Sequence, residues 1–368
     1  MKKVAYIRAS NIYDDSRASK EINALLENGY FVSVFGWDRS GISEKKCAET
    51  IKNINVRFTF YPVRIQPGQG NSFKNIIGWI RWLNKVLKQE KYDIIHACDL
   101  DSGISGYKYS KKTKCKFVYD IYDYYIECHH VPKFTEFFLE REEIKIINNS
   151  DLTIICTEER KKQIRKASPK KTIVIYNSPQ VDTLSLESDE MLYDYVYCGT
   201  LCKNRLLKEV FDKYHSNIHL KMAIAGTGEF ALNATELSEK YENFSYLGTI
   251  PYAEVIEKES QSKVISAIYD PSLRNHQLCA PNKFYEALAL GKPIIVCNGT
   301  GIDEVVRKNN IGTVIDYNAN EFYAALYHLL EHPSICAEMG KRARLIYEQK
   351  YQWNVMKGIL IDEYTKLG

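Results

Sequence analysis

Short apolar, β-branched runs alternate along this chain with longer stretches of helical period. KKVAYIR (2–8), YFVSVFG (30–36), DIIHA (93–97), KFVYDI (116–121), DLTIICT (151–157) and TIVIYN (172–177) read as strands. Helical period covers Arg17 to Asn28, Asn71 to Lys88, Ser102 to Ser110, about Glu136 to Asn149, and a stretch from Glu158. Alternation of this kind predicts βαβ units and a parallel sheet. After Asn177 the polar run SPQVDTLSLESDE has no hydrophobic period and reads as a linker. The pattern then restarts with strands YDYVYCG (193–199), HLKMAIAG (219–226), FSYLG (244–248), KVISAIYD (263–270), PIIVC (293–297) and GTVIDY (312–317). Helices separate these strands, one near Asn282–Leu290, and about three more close the chain. Two α/β halves follow, and a cleft between two such halves is the default ligand site.

Composition narrows the class. The 368 residues fit two domains, and 45% hydrophobic with 26% charged residues is ordinary for a globular chain. No apolar run approaches the ~20 residues that cross a bilayer, and Arg8 interrupts the N-terminal run before a signal-peptide core forms. Ten scattered cysteines, without CxxC or a clustered His/Cys ligand set, predict a reducing, cytoplasmic setting and no structural metal. Residues 1–180 hold 31 Lys and Arg against 21 Asp and Glu, whereas the remainder holds 19 against 25. The basic residues are dispersed, which fits a solvated face or attraction to an anionic membrane; no nucleic-acid signature accompanies them.

Several segments carry chemistry. In CAPNKFYEALALGKPIIVC (279–297), Pro281 suits a helix start, and Lys283 and Glu286 share one helical face. Free N–H groups at that helix start favour a phosphate, Lys283 adds charge, and a carboxylate one turn later can accept two sugar hydroxyls. The same pair also fits an ordinary helix with an i,i+3 ion pair. IAGTGEF (224–230) is half of a dinucleotide fingerprint or a tight turn. YCGTLCKNR (197–205) ends a strand at Gly199 and places Arg205 at a helix start, within reach of a diphosphate or simply exposed. In the first half, SNIYDDSR (10–17) follows the first strand and offers Asp14, Asp15 and Arg17; Asp15 or Ser16 equally suits a helix cap. HACDLDSG (96–103) and YDIYDYYIECHH (119–130) lie beyond strand C-termini. Their carboxylates, Asp99 and Asp120 among them, suit acid–base work, helix capping or binding of substrate hydroxyls.

At these residues the sequence resembles the nucleotide-sugar glycosyltransferases of family 4. DDSRASKEINALLENGYFVSVFGWDR, KYDIIHACDLDSG, KFVYDIYDYYIE, VIYNSPQ, CGTL…R, IAGTGEF, YLGTIPYAEV, APNKFYEALALGKPIIV, GTGIDEVV and YQWNVMKGILIDEY follow the family's order over nearly the whole chain. The resemblance implies the GT-B fold: two Rossmann-like domains facing a central cleft, with a C-terminal helix crossing back to the first. The corresponding bounds are 1–178 for an acceptor domain, 179–350 for a nucleotide-sugar domain and 351–368 for the returning helix.

It also implies a retaining, metal-independent and cofactor-free transferase. The donor is a nucleotide diphosphate sugar, UDP-sugar first, and the acceptor a glycan or lipid-linked molecule in bacterial surface polysaccharide synthesis. The setting is cytoplasmic, with peripheral contact on the inner membrane face. Glu286 would hold the ribose and Lys283 and Arg205 the diphosphate, with Asn282, Gly199, Thr200, Gly226, Thr227, Gly228, His276 and Ala280 completing the donor pocket. Asp15, Arg17 and His129 would meet the acceptor, and Asp99, Asp120 and Tyr122 would stand at the reacting centre. Three positions depart from the family: Leu278 stands where the first of two glutamates belongs, Tyr122 where a histidine is usual, and Thr200 where an arginine often follows the glycine. A sugar-nucleotide epimerase and a degenerate, non-catalytic partner subunit are the alternatives.

Overall fold

A computed structural model of the chain describes residues 1–65, 73–128, 132–180 and 190–368. The chain divides into two compact units, residues 1–176 with 356–368, and residues 177–355. Much of the linker segment (181–189) and His129 lie outside the described residues.

The first unit is built on seven strands: β1 (Lys3–Arg8), β2 (Phe31–Trp37), β3 (Val56–Tyr61), β4 (Ile94–Cys98), β5 (Lys116–Ile121), β6 (Leu152–Ile155) and β7 (Thr172–Val174). Every pairing is parallel, in the order β3-β2-β1-β4-β5-β6-β7. Side chains alternate between the two faces. One face sends Ala5, Ile7, Phe35, Trp37, Ile95, Ala97, Phe117 and Tyr119 into a core with Trp79 and Leu83 of the helix Phe73–Val86. Within it Trp37 stacks on Trp79 at 5.9 Å. The other face carries Tyr6, His96 and Asp120, which are wholly buried. The register sets Tyr6 beside His96 and Cys98 beside Asp120.

The second unit repeats the plan with β8 (Tyr193–Cys198), β9 (Met222–Ala225), β10 (Phe244–Tyr246), β11 (Ser262–Ala267), β12 (Ile294–Cys297) and β13 (Gly312–Ile315). The order β10-β9-β8-β11-β12-β13 is again wholly parallel. Tyr195, Tyr197, Met222, Ile224, Val264, Ile295 and Cys297 form its main core with the helices Leu207–Lys213 and Ala319–Glu331. Strand order reverses between β1 and β4 in one sheet and between β8 and β11 in the other. Ligands of open α/β sheets settle beside such points, at the strands' C-terminal ends. Both units are therefore Rossmann-like.

Three local expectations are corrected, and two elements are new. The stretch from Glu158 forms only the short 3₁₀ turn Glu159–Lys162. The helix expected from Ser102 starts at Asp99 and runs to Thr113, so Asp99 and Asp101 occupy its first turn, where acidic groups interact favourably with the positive end of the helix dipole. Arg205 does not open a helix; it ends the 3₁₀ turn Lys203–Arg205 and is followed by left-handed Leu206. Helix Ser43–Thr50 and edge strand β3 were unanticipated, because VRFTFY is only half-buried and its flanks are polar.

One buried carboxyl links the first core to pH. Glu143, on the helix Lys133–Asn149, accepts from Tyr119 Oη (2.9 Å) and the Tyr125 amide (3.3 Å) and is pushed up to about 8 by burial. The folded chain therefore holds a proton that the unfolded chain loses from about pH 4.5. Stability should fall as pH rises from 5 to 8, by up to about 1.4 kcal/mol per unit for this group. Glu143→Gln should flatten that part of a Tm-versus-pH series, and an unchanged slope would remove Glu143 as its source.

Candidate functional site

In the first unit the chain leaves β1 at Arg8 and β4 at Cys98, on either side of the point where strand order reverses. Arg8 Nε donates to Asp15 Oδ2 (3.0 Å) and its Nη1 to Asp99 Oδ2. Asp99 Oδ1 accepts from the amides of Tyr122 (2.8 Å) and Asp123 (3.2 Å), which clamps the loop after β5. Asp99 itself holds φ +59°, a left-handed conformation that Asp tolerates better than most residues. The Tyr122 ring lies between two guanidinium groups, Arg8 at 3.8 Å and Arg17 at 4.5 Å.

Behind this layer, Arg17 binds Asp120 Oδ1 (2.6 Å), Glu21 Oε1 (3.0 Å) and the Ile175 carbonyl (3.0 Å). Tyr6 Oη donates to Glu21 Oε2 (2.8 Å) and lies 3.0 Å from Tyr122 Oη. Burial opposes ionisation of Asp120, yet Arg17 and His96 hold it below its ordinary range. Glu21 is pushed up to about 7, by burial first and then by the charge of Asp120. Asp101 is pushed up to about 6, by burial first and then by Asp99.

In the second unit the loops after β8 and β9 are pressed together. A Cβ on Gly226 (φ +131°) would fall 1.8 Å from the Gly199 carbonyl oxygen, and one on Gly228 (φ +150°) would fall 2.3 Å from that of Leu201. Backbone bonds Gly199 N to Ala225 O and Leu201 N to Thr227 O, both 2.8 Å, close the seam. Lys283, in the first turn of the helix Asn282–Ala289, reaches back over this seam. Its ammonium lies 5.0 Å from the Tyr197 ring and 2.6 Å from where a Gly199 Cβ would stand. The Arg205 guanidinium lies 3.8 Å over the Tyr269 ring, and its Nη1 is 3.3 Å from His276 Nε2. Among the described residues no carboxylate lies within ion-pair distance of Lys283 or Arg205. Deeper, Glu286 is 3% exposed and accepts from Tyr252 Oη at 2.9 Å. Tyr269 is pushed up to about 12 by burial, against the opposing charges of Arg205 and Lys283.

The structure thus gathers Gly199, Gly226, Gly228, Arg205, Lys283 and His276 at one strand edge, with Glu286 one turn further along its helix. Thr200, Thr227 and Asn282 are exposed at the rim, and the Ala280 carbonyl accepts from Asn177 (2.8 Å). Asp15 caps the helix Ser16–Glu27 through the Ala18 amide (3.1 Å) while it also pairs with Arg8, so the capping alternative holds. Arg17 (5% exposed) and Asp120 (0%) were expected among substrate-facing groups. They lie inside the unit, where their charges neutralise one another and Arg17 packs against the Tyr122 ring. Arg8, Tyr6 and His96 were not anticipated, nor were Tyr252, Tyr269 and Glu259. A charge ending an apolar strand was a signal for Arg8; Glu259 sits in an amphipathic helix that gives none.

Ligand atoms of His96, Cys98 and Asp120 lie within 4.8 Å of one another, a donor set that suits a metal ion. Asp120 is already neutralised by Arg17, however, and a cation beside that guanidinium would be repelled.

Two Rossmann-like units make up the chain, and the second holds two cations, neither in a direct ion pair among the described residues, over a glycine seam. Residues 20–181 match the glycosyltransferase family 4 model and residues 187–346 the glycosyl transferases group 1 model. Between them these take in most of the chain, which belongs to the family 4 glycosyltransferases of GT-B type. No curated protein matches the sequence. The fold is similar to that of a sucrose-phosphate synthase from Thermosynechococcus elongatus (16% identity, TM-score 0.73), over 100% of this chain and 99% of that one. It is also similar to Anabaena HepE, solved with UDP and glucose (14%, 0.70, all of both chains). A third similar structure is S. aureus MnaA solved with UDP (13%, 0.61, 96% of this chain and 97% of that one).

The glycine seam makes a direct prediction. Gly226→Ala must displace the β8 loop and should cost several kcal/mol. Gly248→Ala, at φ +64° with nothing within 4 Å, should cost only about 1 kcal/mol. Urea unfolding of both variants checks the ranking, and equal costs would refute the close approach.

Proposed function

We propose that this glycosyltransferase moves a sugar from a UDP-sugar to a glycan or lipid-linked acceptor in bacterial surface polysaccharide or glycoconjugate synthesis, with retention and without a metal. The observation that carries the reading is the pair of cations, Lys283 and Arg205, held on aromatic faces beside a glycine seam at the second switch point. Fixed positive charge at that place stabilises a diphosphate as it departs and needs no reorganisation to do so. Glu286, deeper in the site and oriented by Tyr252, accepts the ribose hydroxyls. The bond from the anomeric carbon to the diphosphate oxygen breaks as the acceptor oxygen bonds that carbon. The acceptor proton passes to the departing oxygen. Uridine is favoured over other bases because the similar HepE and MnaA structures hold UDP.

The acceptor reading rests on the first unit, where Asp15 and Asp99 flank Arg8 and Arg17 backs Tyr122. No described helix is long and apolar enough to cross a membrane. Peripheral attachment is supported by Phe134, Phe137 and Phe138, spaced on one helical face at the start of Lys133–Asn149 and 75%, 62% and 66% exposed. Three such side chains in a basic half suit the interface of an anionic bilayer.

Thermal shifts with UDP, GDP, ADP, dTDP and CMP test the donor. UDP at 100 times its Kd should stabilise by about 2.7 kcal/mol. Glu286→Ala should abolish that shift, and Lys283→Ala should weaken UDP far more than uridine. No shift with any diphosphate would overturn the reading. For the membrane, Phe134→Ser/Phe137→Ser/Phe138→Ser should lower co-sedimentation with anionic vesicles several-fold while the UDP shift stays unchanged. Equal binding by the triple variant would remove this face from the account.

A further inference from the structure

Glu259, on the helix Tyr252–Ser260, has no exposed surface, and neither of its carboxyl oxygens has a hydrogen-bond partner among the described residues. An ionised carboxylate so placed is far more costly than a protonated one. Its surroundings sharpen this. From the helix Asn282–Ala289 it faces Glu286, which opposes its ionisation, and Lys283, which favours it; burial is the largest influence and pushes its carboxyl well above the ordinary range. From β8 it faces Cys198, whose thiol is pushed up by burial and then by this same carboxyl. From its own helix it faces Tyr252, the donor to Glu286.

Two carboxyls therefore share one cation. Glu286 has a hydroxyl donor and slight exposure, and Glu259 has neither, so a single proton resides on Glu259. Resting on the reading of this site as the diphosphate site, a second step follows. A bound diphosphate takes up the charge of Lys283, and the two carboxyls lose their counter-ion. One of them must then hold a proton more firmly than before, and it is the one without a donor.

We propose that Glu259 is a positioning residue of the donor site, a buried carboxylic acid that reserves the ionised, ribose-accepting state for Glu286 and makes diphosphate binding draw in a proton. The sugar nucleotide is thus recognised with a proton as co-ligand, and its hold loosens in alkali.

The test is calorimetry of UDP binding between pH 7.5 and 8.5 in buffers of different ionisation enthalpy, where the diphosphate is ionised and the uracil N3–H keeps its proton. Wild type should take up a fraction of a proton, and its affinity should fall up to about tenfold per pH unit once the free acid ionises. Glu259→Gln, a neutral mimic of the acid, should bind UDP at pH 7.5 within a few-fold of wild type, take up no proton and show a flat profile. Infrared spectra of the ligand-free wild type should contain a buried carboxylic-acid carbonyl band that Glu259→Gln lacks. Proton uptake retained in Glu259→Gln, or absent from wild type, overturns the proposal while leaving the donor site in place. Absence of any UDP heat in wild type overturns the donor site itself.

Discussion

A parallel sheet covered on both faces sends the C-terminal end of every strand to the same edge. That constraint orders this molecule. In both units the strand order reverses once, beside β1 and β4 in one and beside β8 and β11 in the other, so successive crossovers diverge and leave an opening. Arg8, Asp15, Asp99 and Tyr122 come from the loops at the first opening. Gly199, Gly226, Arg205, Tyr269 and Lys283 come from the loops and the helix start at the second. Residues 158 positions apart along the chain, Arg17 and Ile175, meet because the sheet brings them to one edge (3.0 Å).

The second opening depends further on the absence of side chains. Gly226 and Gly228 lie in backbone conformations that strain other residues, and they place their loop against the carbonyls of Gly199 and Leu201. Any Cβ at Gly226 would push the β8 loop outward, away from the reach of Lys283. The flat surface this leaves is where a ligand can meet the backbone closely.

Much of the fold was legible because buried parallel strands are continuous apolar runs, which polar, helical stretches separate cleanly. Strand β5 lies at the residues expected, and most other strands are shorter at one or both ends. What escaped was what the pattern does not encode. Strand β3 is a half-buried edge, and the turn after Glu158 is too short to show a helical period. The glycines, Lys283 and Glu286 were legible as candidates because phosphate chemistry requires those residue types at that spacing. Glu259 was not, since a glutamate on an amphipathic helix reads as solvated until the packing of that helix on β8 and β11 turns it inward. The burial of Arg17 and Asp120 was hidden for the converse reason: sequence order gives their proximity to a strand end but not the layer they occupy.

The two openings differ most in how they treat charge. In the first, Arg8 and Arg17 each meet two carboxylates, and Asp99 and Asp120 are bound in turn. That network is satisfied, so it stiffens the loops around Tyr122 and gains little from another ion. In the second, Lys283 and Arg205 rest on tyrosine faces, which hold a cation in place by a weak attraction; Lys283 feels the buried carboxyls Glu259 and Glu286, but neither cation is tied up in a direct ion pair among the described residues. A desolvated anion gains more from two such cations than from exposed lysines, because no direct ion pair must first be broken. The second opening therefore has more to offer an anion than the first, whose cations are already paired with carboxylates.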